Sequence, residues 1–227
     1  EHAALVTELV LGASPQARVA VRVHPVDHPA FEADMAHIAG KAGHRLRHIM
    51  VPKVESVADV VRAEQALIDA GAGHLPLHVL VESAAAVHRC FDIAAHPRVQ
   101  SISFGLMDFV SAHAGAIPAQ GMTSQGQFTH PLVVRAKLEI ASACHAHGKV
   151  PSHCVVTEFS DTQAMRLAAQ QAASAFGFTR MWSIHPAQIR PILEAMAPDA
   201  AEIDQACDIV LAAQAAHWAP ISHQGHL

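Results

Sequence analysis

The sequence predicts an α/β protein built on a parallel β-sheet, and three observations carry that prediction. Short β-rich runs recur at Arg18–Val23, Arg47–Val51, Leu77–Val81, Val99–Phe104, Lys149–Ser152 and Thr179–Ile184. These runs are apolar almost throughout instead of alternating, which suits parallel strands covered on both faces. Amphipathic stretches separate nearly every pair, so the chain repeats β then α. Six such units fit either an open doubly wound sheet or most of an eight-stranded barrel, and periodicity alone does not choose between them.

The connections carry their own punctuation. After the second strand, Ser56 precedes VADVVRAEQALIDAG as a capping hydroxyl, and Gly71 closes that helix. After the fourth strand, Gly115, Pro118, Gly121 and Gly126 make the stretch from Ser111 to Thr129 a long loop of the kind that lies over an active site. VVRAKLEIASACHAHG reads as a helix closed by Gly148, and Ser160 precedes the next, DTQAMRLAAQQAASAFG. No linker or low-complexity tract interrupts the pattern, so residues 1–227 are expected to form a single domain with a C-terminal helix and tail from about 199.

Composition narrows the function. At 227 residues and 51% hydrophobic content the chain can bury one sizeable core. A net charge of -5, without any run of Lys or Arg interleaved with aromatics, argues against nucleic acid. No apolar stretch reaches the roughly 20 residues that span a bilayer. The start, EHAALVTELVLG, lacks the charged-then-apolar order of a signal peptide, so the sequence predicts a soluble, cytoplasmic protein with no membrane partner. Cys90, Cys144, Cys154 and Cys207 form no CxxC pair and read as small buried thiols. The 19 histidines are scattered without HExxH spacing and read mostly as surface or loop positions.

In parallel α/β proteins, reactive groups gather at the C-terminal ends of strands, where loops vary without disturbing the core. Those ends hold Arg22 in VRVHP, Lys53 and Glu55 in VPKVES, Glu82 in HVLVES, Asp108 in SFGLMD and His185 in SIHPAQ. One charged residue at an exposed end is most often merely solvated; the convergence of several carries the meaning. Glu82 and Asp108 place two hard oxygen ligands on one rim without thiolate or imidazole, a set that favours Mg2+ or Mn2+ over zinc. A metal held by two carboxylates keeps positions open for water and for a chelating 2-oxo acid whose carbonyl it polarises. Arg22 then pairs with the oxyanion through its fork of donors.

Other strand-end residues keep two readings. Lys53 and Glu55, two apart on an extended segment, point the same way and either pair with each other or support the site from behind. His185 either donates to a substrate oxygen or begins a helix with Pro186 in its first turn. Gly105 either admits the ligand close to backbone or simply packs, and the amides of Met107 and Asp108 open a short helix able to receive a carboxylate. Trp182 and Phe91, Phe104, Phe109 and Phe128 show no pattern separable from core or pocket lining.

In this order and spacing, VRVHP, VPKVES, VES followed by HPRV, SFGLMDF and WSIHPAQI resemble the citrate lyase β-subunit-like branch of the HpcH/HpaI aldolase family, through almost the whole chain. The resemblance implies a TIM (β/α)8 barrel, Glu82 and Asp108 as magnesium ligands, and Arg22 as a substrate contact. It implies cleavage or condensation of a 3-hydroxy-acyl thioester, citryl-CoA or malyl-CoA in type, on CoA or an acyl carrier, through a metal-bound 2-oxo acid. It also implies a homo-oligomer, trimer or hexamer. Such relatives begin with two further βα units, so the first two units of the barrel are expected to be absent from the chain as given.

The departures are specific. The family often has Asn where His24 stands and Arg-Gly where this chain has Ala85 and Ala86, a change that bears on CoA contacts. The tail, HWAPISHQGHL, lacks the acidic residue that a C-terminal lid supplies in some relatives. Three alternatives to the lyase therefore stand: an aldolase for free 2-oxo-4-hydroxy acids, a malyl-CoA-type thioesterase, and a noncatalytic barrel subunit.

Overall fold

A computed structural model describes residues 2–225 of the chain. Glu1 of the amino-terminal run, and His226 and Leu227 of the tail, lie outside the described residues.

The strands are β1 (Val19–Arg22), β2 (Leu46–Val51), β3 (Leu77–Val81), β4 (Val99–Phe104), β5 (Val150–His153) and β6 (Arg180–Met181). They form one six-stranded sheet in sequential order, each strand parallel to the next. Each apolar run lies where the sequence places it. The sheet curls: Arg22 at the end of β1 and Trp182 just past β6 line the same cavity of about 130 Å3. In place of the expected eight-stranded barrel, the described residues form a curled six-stranded half-barrel, consistent with a TIM-like barrel, in which β1 and β6 each pair with a single neighbour.

Around it run α1 (His2–Gly12), α2 (Phe31–Asp34), α3 (Gly40–Ala42), α4 (Val57–Asp69), α5 (Ala84–His88) and α6 (Cys90–Ala95). They are followed by α7 (Leu106–Ala112), α8 (Pro131–Ala146), α9 (Thr162–Ser174), α10 (Pro186–Met196) and α11 (Ala200–Ala215). A π-helical turn, Met35–Ala39, joins α2 to α3, and α1 packs across it. Behind the sheet, α6 and α8 pack on β4 and α8 also on β5, with Ile93, Ile102, Ala136 and Ile140 fully buried. None of the residues of α11 is buried. No helix among the described residues is long and apolar enough to cross a membrane.

Several sequence expectations shift for local reasons. Ser56 stands at the N-cap of α4 as read, its amide donating to Asp59 Oδ2 at 3.0 Å, and Gly71 closes the turn at φ +71. The cap of α9 is Asp161 and not Ser160, because the Asp161 Oδ1 reaches the Ala164 amide at 2.9 Å. The predicted loop from Ser111 to Thr129 is partly helical: α7 runs to Ala112, and 3-10 turns form at Ala119–Met122 and Gly126–Phe128. Gly126 permits that packing, since a Cβ there would strike the Gln120 carbonyl. The sixth strand, predicted over Thr179–Ile184, forms only at Arg180–Met181: Ser183 Oγ donates to the His185 carbonyl at 2.8 Å and the Ile184 amide to Gln188 Oε1 at 2.9 Å, which turns the chain into α10. Cys90, Cys144 and Cys154 are buried as expected, whereas Cys207 is exposed on α11. His78 and His153 are buried, exceptions to the reading of the histidines as mostly surface or loop positions.

Candidate metal and substrate site

Register brings the two carboxylates together. Val81 and Phe104 are partners across β3 and β4, so Glu82 and Gly105 leave the sheet side by side. A Cβ on Gly105 would collide with the Glu82 side chain, so this glycine makes room for Glu82. Asp108 stands in the first turn of α7, held there by burial of Leu106 and Phe109 beneath it, and its side chain remains half exposed. Arg22 ends β1 on the same rim.

Lys53 joins the two acids. Its backbone amide donates to Glu82 Oε2 at 2.9 Å, and its Nζ lies 3.0 Å from Asp108 Oδ1. The residue sits at φ +53, left-handed backbone that costs a non-glycine residue on the order of 1 kcal/mol. That turn also corrects the expectation that Lys53 and Glu55 pair with each other. They do not share an extended face, and Glu55 Oε2 instead accepts from Ser83 Oγ at 2.7 Å.

The electrostatics follow from burial. Desolvation, and then the neighbouring Asp108 charge, push the Glu82 carboxyl above its ordinary range; the Lys53 amide, the Lys53 ammonium and Arg22 pull partly the other way. The hydrogen bond to Asp108, with its charge, pushes the Lys53 ammonium upward. A buried carboxyl pushed upward beside a second acid suits a hard cation held by both. No group of three or more His, Cys, Asp or Glu side chains suited to a metal occurs among the described residues.

A cavity of about 450 Å3 opens over the rim, lined among others by Arg22, His24, Asp34, Lys53, Glu82 and Asp108. Below it, the cavity of about 130 Å3 adds Gly105, Met107, Cys154 and Trp182. Larger hollows, of about 630 Å3 along α9 and about 680 Å3 along α11, hold no converging charges, and one of about 660 Å3 gathers only cations and a histidine, Arg18, Arg47, His48 and Arg180, without a carboxylate, so size is a poorer guide here than chemistry. Of the sequence candidates, Arg22, Glu82, Gly105, Met107 and Asp108 come together. His185 lines neither cavity: it caps α10, its Nδ1 accepting from the Ala187 amide at 3.2 Å, and its ring stacks on Phe159 at 5.2 Å.

Sequence reading missed three clusters. His24 pairs with Asp34 beside the carboxylates. On the concave face, the buried ring of His78 meets Ser101 Oγ at 2.6 Å and Ser103 Oγ at 2.7 Å, and Trp182 Nε1 donates to Ser103 Oγ at 2.7 Å. Behind β5, fully buried Lys137 donates to Gln127 Oε1 at 2.9 Å and lies 3.7 Å from the Phe128 ring centre; burial pulls its ammonium down to about 8. Two of these had a signal: a lone His within the apolar run LHVLV, and a Lys on the stripe that Val133, Ile140 and Cys144 mark as the buried face of α8.

The family model described as HpcH/HpaI aldolase/citrate lyase matches residues 3–186. The L-malyl-CoA/beta-methylmalyl-CoA lyase of Rhodobacter capsulatus is 31% identical over 212 residues, which cover 87% of this chain and 66% of that protein. The chain thus spans about two thirds of the length of that curated relative. The crystal structure of a citrate lyase from Burkholderia xenovorans LB400 is 48% identical, with a TM-score of 0.88 over 99% of this chain and 72% of that one. The citrate lyase beta subunit from M. tuberculosis, complexed with oxaloacetate and magnesium, shares the fold at a TM-score of 0.67 and 24% identity, over 82% of this chain and 75% of that one.

Proposed function

The chain belongs to the HpcH/HpaI aldolase/citrate lyase family, and from that premise we propose that it is a Mg2+-dependent carbon–carbon lyase cleaving or forming a 3-hydroxy-acyl thioester of the citryl-CoA or malyl-CoA type. The observation that carries this reading is the juxtaposition of Glu82 and Asp108 with Arg22 on one rim, over a cavity. The malyl-CoA lyase relative supports the thioester class, and the magnesium and oxaloacetate of the M. tuberculosis protein support the metal and the 2-oxo acid.

Each residue has a task set by its chemistry. Glu82 and Asp108 would hold Mg2+, with Mn2+ as a substitute, and the bound ion would supply Lewis-acid polarisation of a 2-oxo group. The Lys53 amide orients Glu82, and the Gly105 hydrogen keeps its space open. Arg22 offers a planar fork to the carboxylate of a 2-oxo acid, fixing the acid against the rim. Burial of Glu82 keeps bulk water from the side of the site facing the sheet. Glu55 acts at a remove, by holding Ser83 at the start of α5.

A second reading, an aldolase for free 2-oxo-4-hydroxy acids, is favoured by Ala85 and Ala86. They stand where the family's Arg-Gly pair would be, and Ala86 is fully buried under the Ser83 cap. The test is turnover of malyl-CoA and citryl-CoA with Mg2+ and with EDTA. Mg2+-dependent cleavage to a CoA thioester supports the lyase. Cleavage of the free acids with none of the thioesters moves the assignment to the aldolase, and no cleavage of either leaves a binding subunit.

A further inference from the structure

We propose that His24, oriented by Asp34, is the proton carrier of the lyase site; the inference rests on the lyase reading above. The sheet ladder runs past β1, the Val23 amide donating to the Met50 carbonyl at 3.0 Å, so the chain is still extended where His24 leaves it. Two residues beyond Arg22 on extended backbone, the His24 ring takes the same side as the guanidinium. Asp34 ends α2 and is buried, and its Oδ2 accepts twice from His24: from the backbone amide at 3.0 Å and from Nδ1 at 2.6 Å.

That pairing fixes the tautomer. A carboxylate only accepts, so the proton of the neutral ring sits on Nδ1 and the lone pair on Nε2. The same logic orients a general-base histidine wherever a carboxylate holds its far nitrogen. His28 stacks on the ring at 4.1 Å with 10° between the planes, which holds the ring's tilt. The His24 side chain is 47% exposed, and it lines the same cavity as Arg22, Glu82 and Asp108.

The other groups around the cavity are committed elsewhere. Lys53 faces it from the end of β2 but is bound to Asp108, and Glu82 from β3 and Asp108 from α7 are the metal donors. Arg22 cannot give up its proton. His2, from α1, lines the same cavity without a carboxylate to orient it among the described residues. These charges, with Asp34 and His28, are the ones that face His24. No hydrogen-bond partner for its Nε2 occurs among the described residues.

In cleavage, the 3-hydroxyl proton of the thioester moves to Nε2, and the O–H pair becomes the new carbonyl bond of the 2-oxo acid. The C2–C3 pair passes to the thioester as its enolate. The proton on His24 then goes to that carbon, giving the acyl thioester and restoring the neutral ring. No oxidant or further reactant is required.

The test uses the full chain, with malyl-CoA turnover in Mg2+ and calorimetry of glyoxylate with Mg2+. His24→Gln should lower kcat by about 100-fold or more, within the usual yield of general acid–base catalysis. KM and glyoxylate binding should stay within about threefold, and the acidic limb of the kcat profile should vanish. Added imidazole should restore part of the turnover of His24→Ala, and Asp34→Asn should lower kcat less than His24→Gln does. Turnover of His24→Gln within about threefold of wild type, or a parallel loss of glyoxylate binding without imidazole rescue, overturns the inference and leaves the lyase standing. A wild-type protein that neither binds glyoxylate with Mg2+ nor turns over the thioester overturns both.

Discussion

The rim of the curled sheet and its concave interior both hold ionisable side chains, but in opposite electrostatic conditions. At the rim, Glu82 is buried beside Asp108 and its carboxyl is pushed upward, with the Lys53 ammonium on Asp108 and only the Lys53 amide on Glu82. In the interior, His78 has a serine on each ring nitrogen, and burial, then His48 and Arg180, lower it to about 3. The interior histidine is neutral and fully paired, so it contributes to folding. Glu82 at the rim is ionised against a penalty, which a ligand can relieve. The contrast teaches where this molecule stores binding capacity: in charges that its own packing leaves incompletely answered.

If that contrast is right, changing a rim acid should cost function and spare the fold. Glu82→Gln and Asp108→Asn should each lower Mg2+-dependent turnover by more than about 100-fold, beyond the 10–100-fold typical of an outer partner of a metal ligand. Their melting temperatures without metal should match or exceed wild type. For Glu82 the sign is fixed: its folded pKa lies above the ordinary value, so its favourable contribution is present below the ordinary carboxylate range and is lost as pH rises through the raised value. Melting temperature followed from pH 4 to 8 should therefore fall less in Glu82→Gln than in wild type. A drop in stability at neutral pH in that variant would break the comparison.

The interior should respond the other way. His78→Ala removes two buried hydrogen bonds and leaves a void, costing about 2–4 kcal/mol by denaturant unfolding, while binding at the rim persists. Because its folded pKa is depressed from 6.5 to about 3, its contribution is present above pH 6.5 and is lost as pH falls toward 3. His78→Gln should flatten that acid limb of the unfolding curve. Gly105→Ala sharpens the boundary between the regions, since its Cβ must displace Glu82; a loss of about 1–3 kcal/mol is expected, with weaker metal binding. The smallest effect belongs to Asp161→Ala, which removes the cap of α9, a helix that lines neither rim cavity, and should cost about 1 kcal/mol with turnover unchanged.

The sequence made the strands and the acids legible for one reason: parallel strands are apolar along their length, so a charge at their C-terminal end stands out. Glu82, Asp108 and Arg22 were found in this way. Lys53 was singled out as well, but the pairings around those residues were not legible, because they depend on backbone turns and distant contacts. Lys53 reaches Asp108 only through its left-handed φ, which an extended reading of VPKVES does not contain. His24 meets Asp34 across a loop between β1 and α2, and neither residue forms a spacing motif with the other. The partly helical stretch after α7 was hidden by its glycines, which read as flexibility but serve close packing at Gly126.

Calorimetry of glyoxylate and oxaloacetate against the wild-type protein, Glu82→Gln and Asp108→Asn, each with and without Mg2+, tests the central claim most directly. The account predicts wild-type binding that requires Mg2+ and is lost in both variants while they remain folded. Binding that ignores the metal, or that survives in both variants, would contradict it.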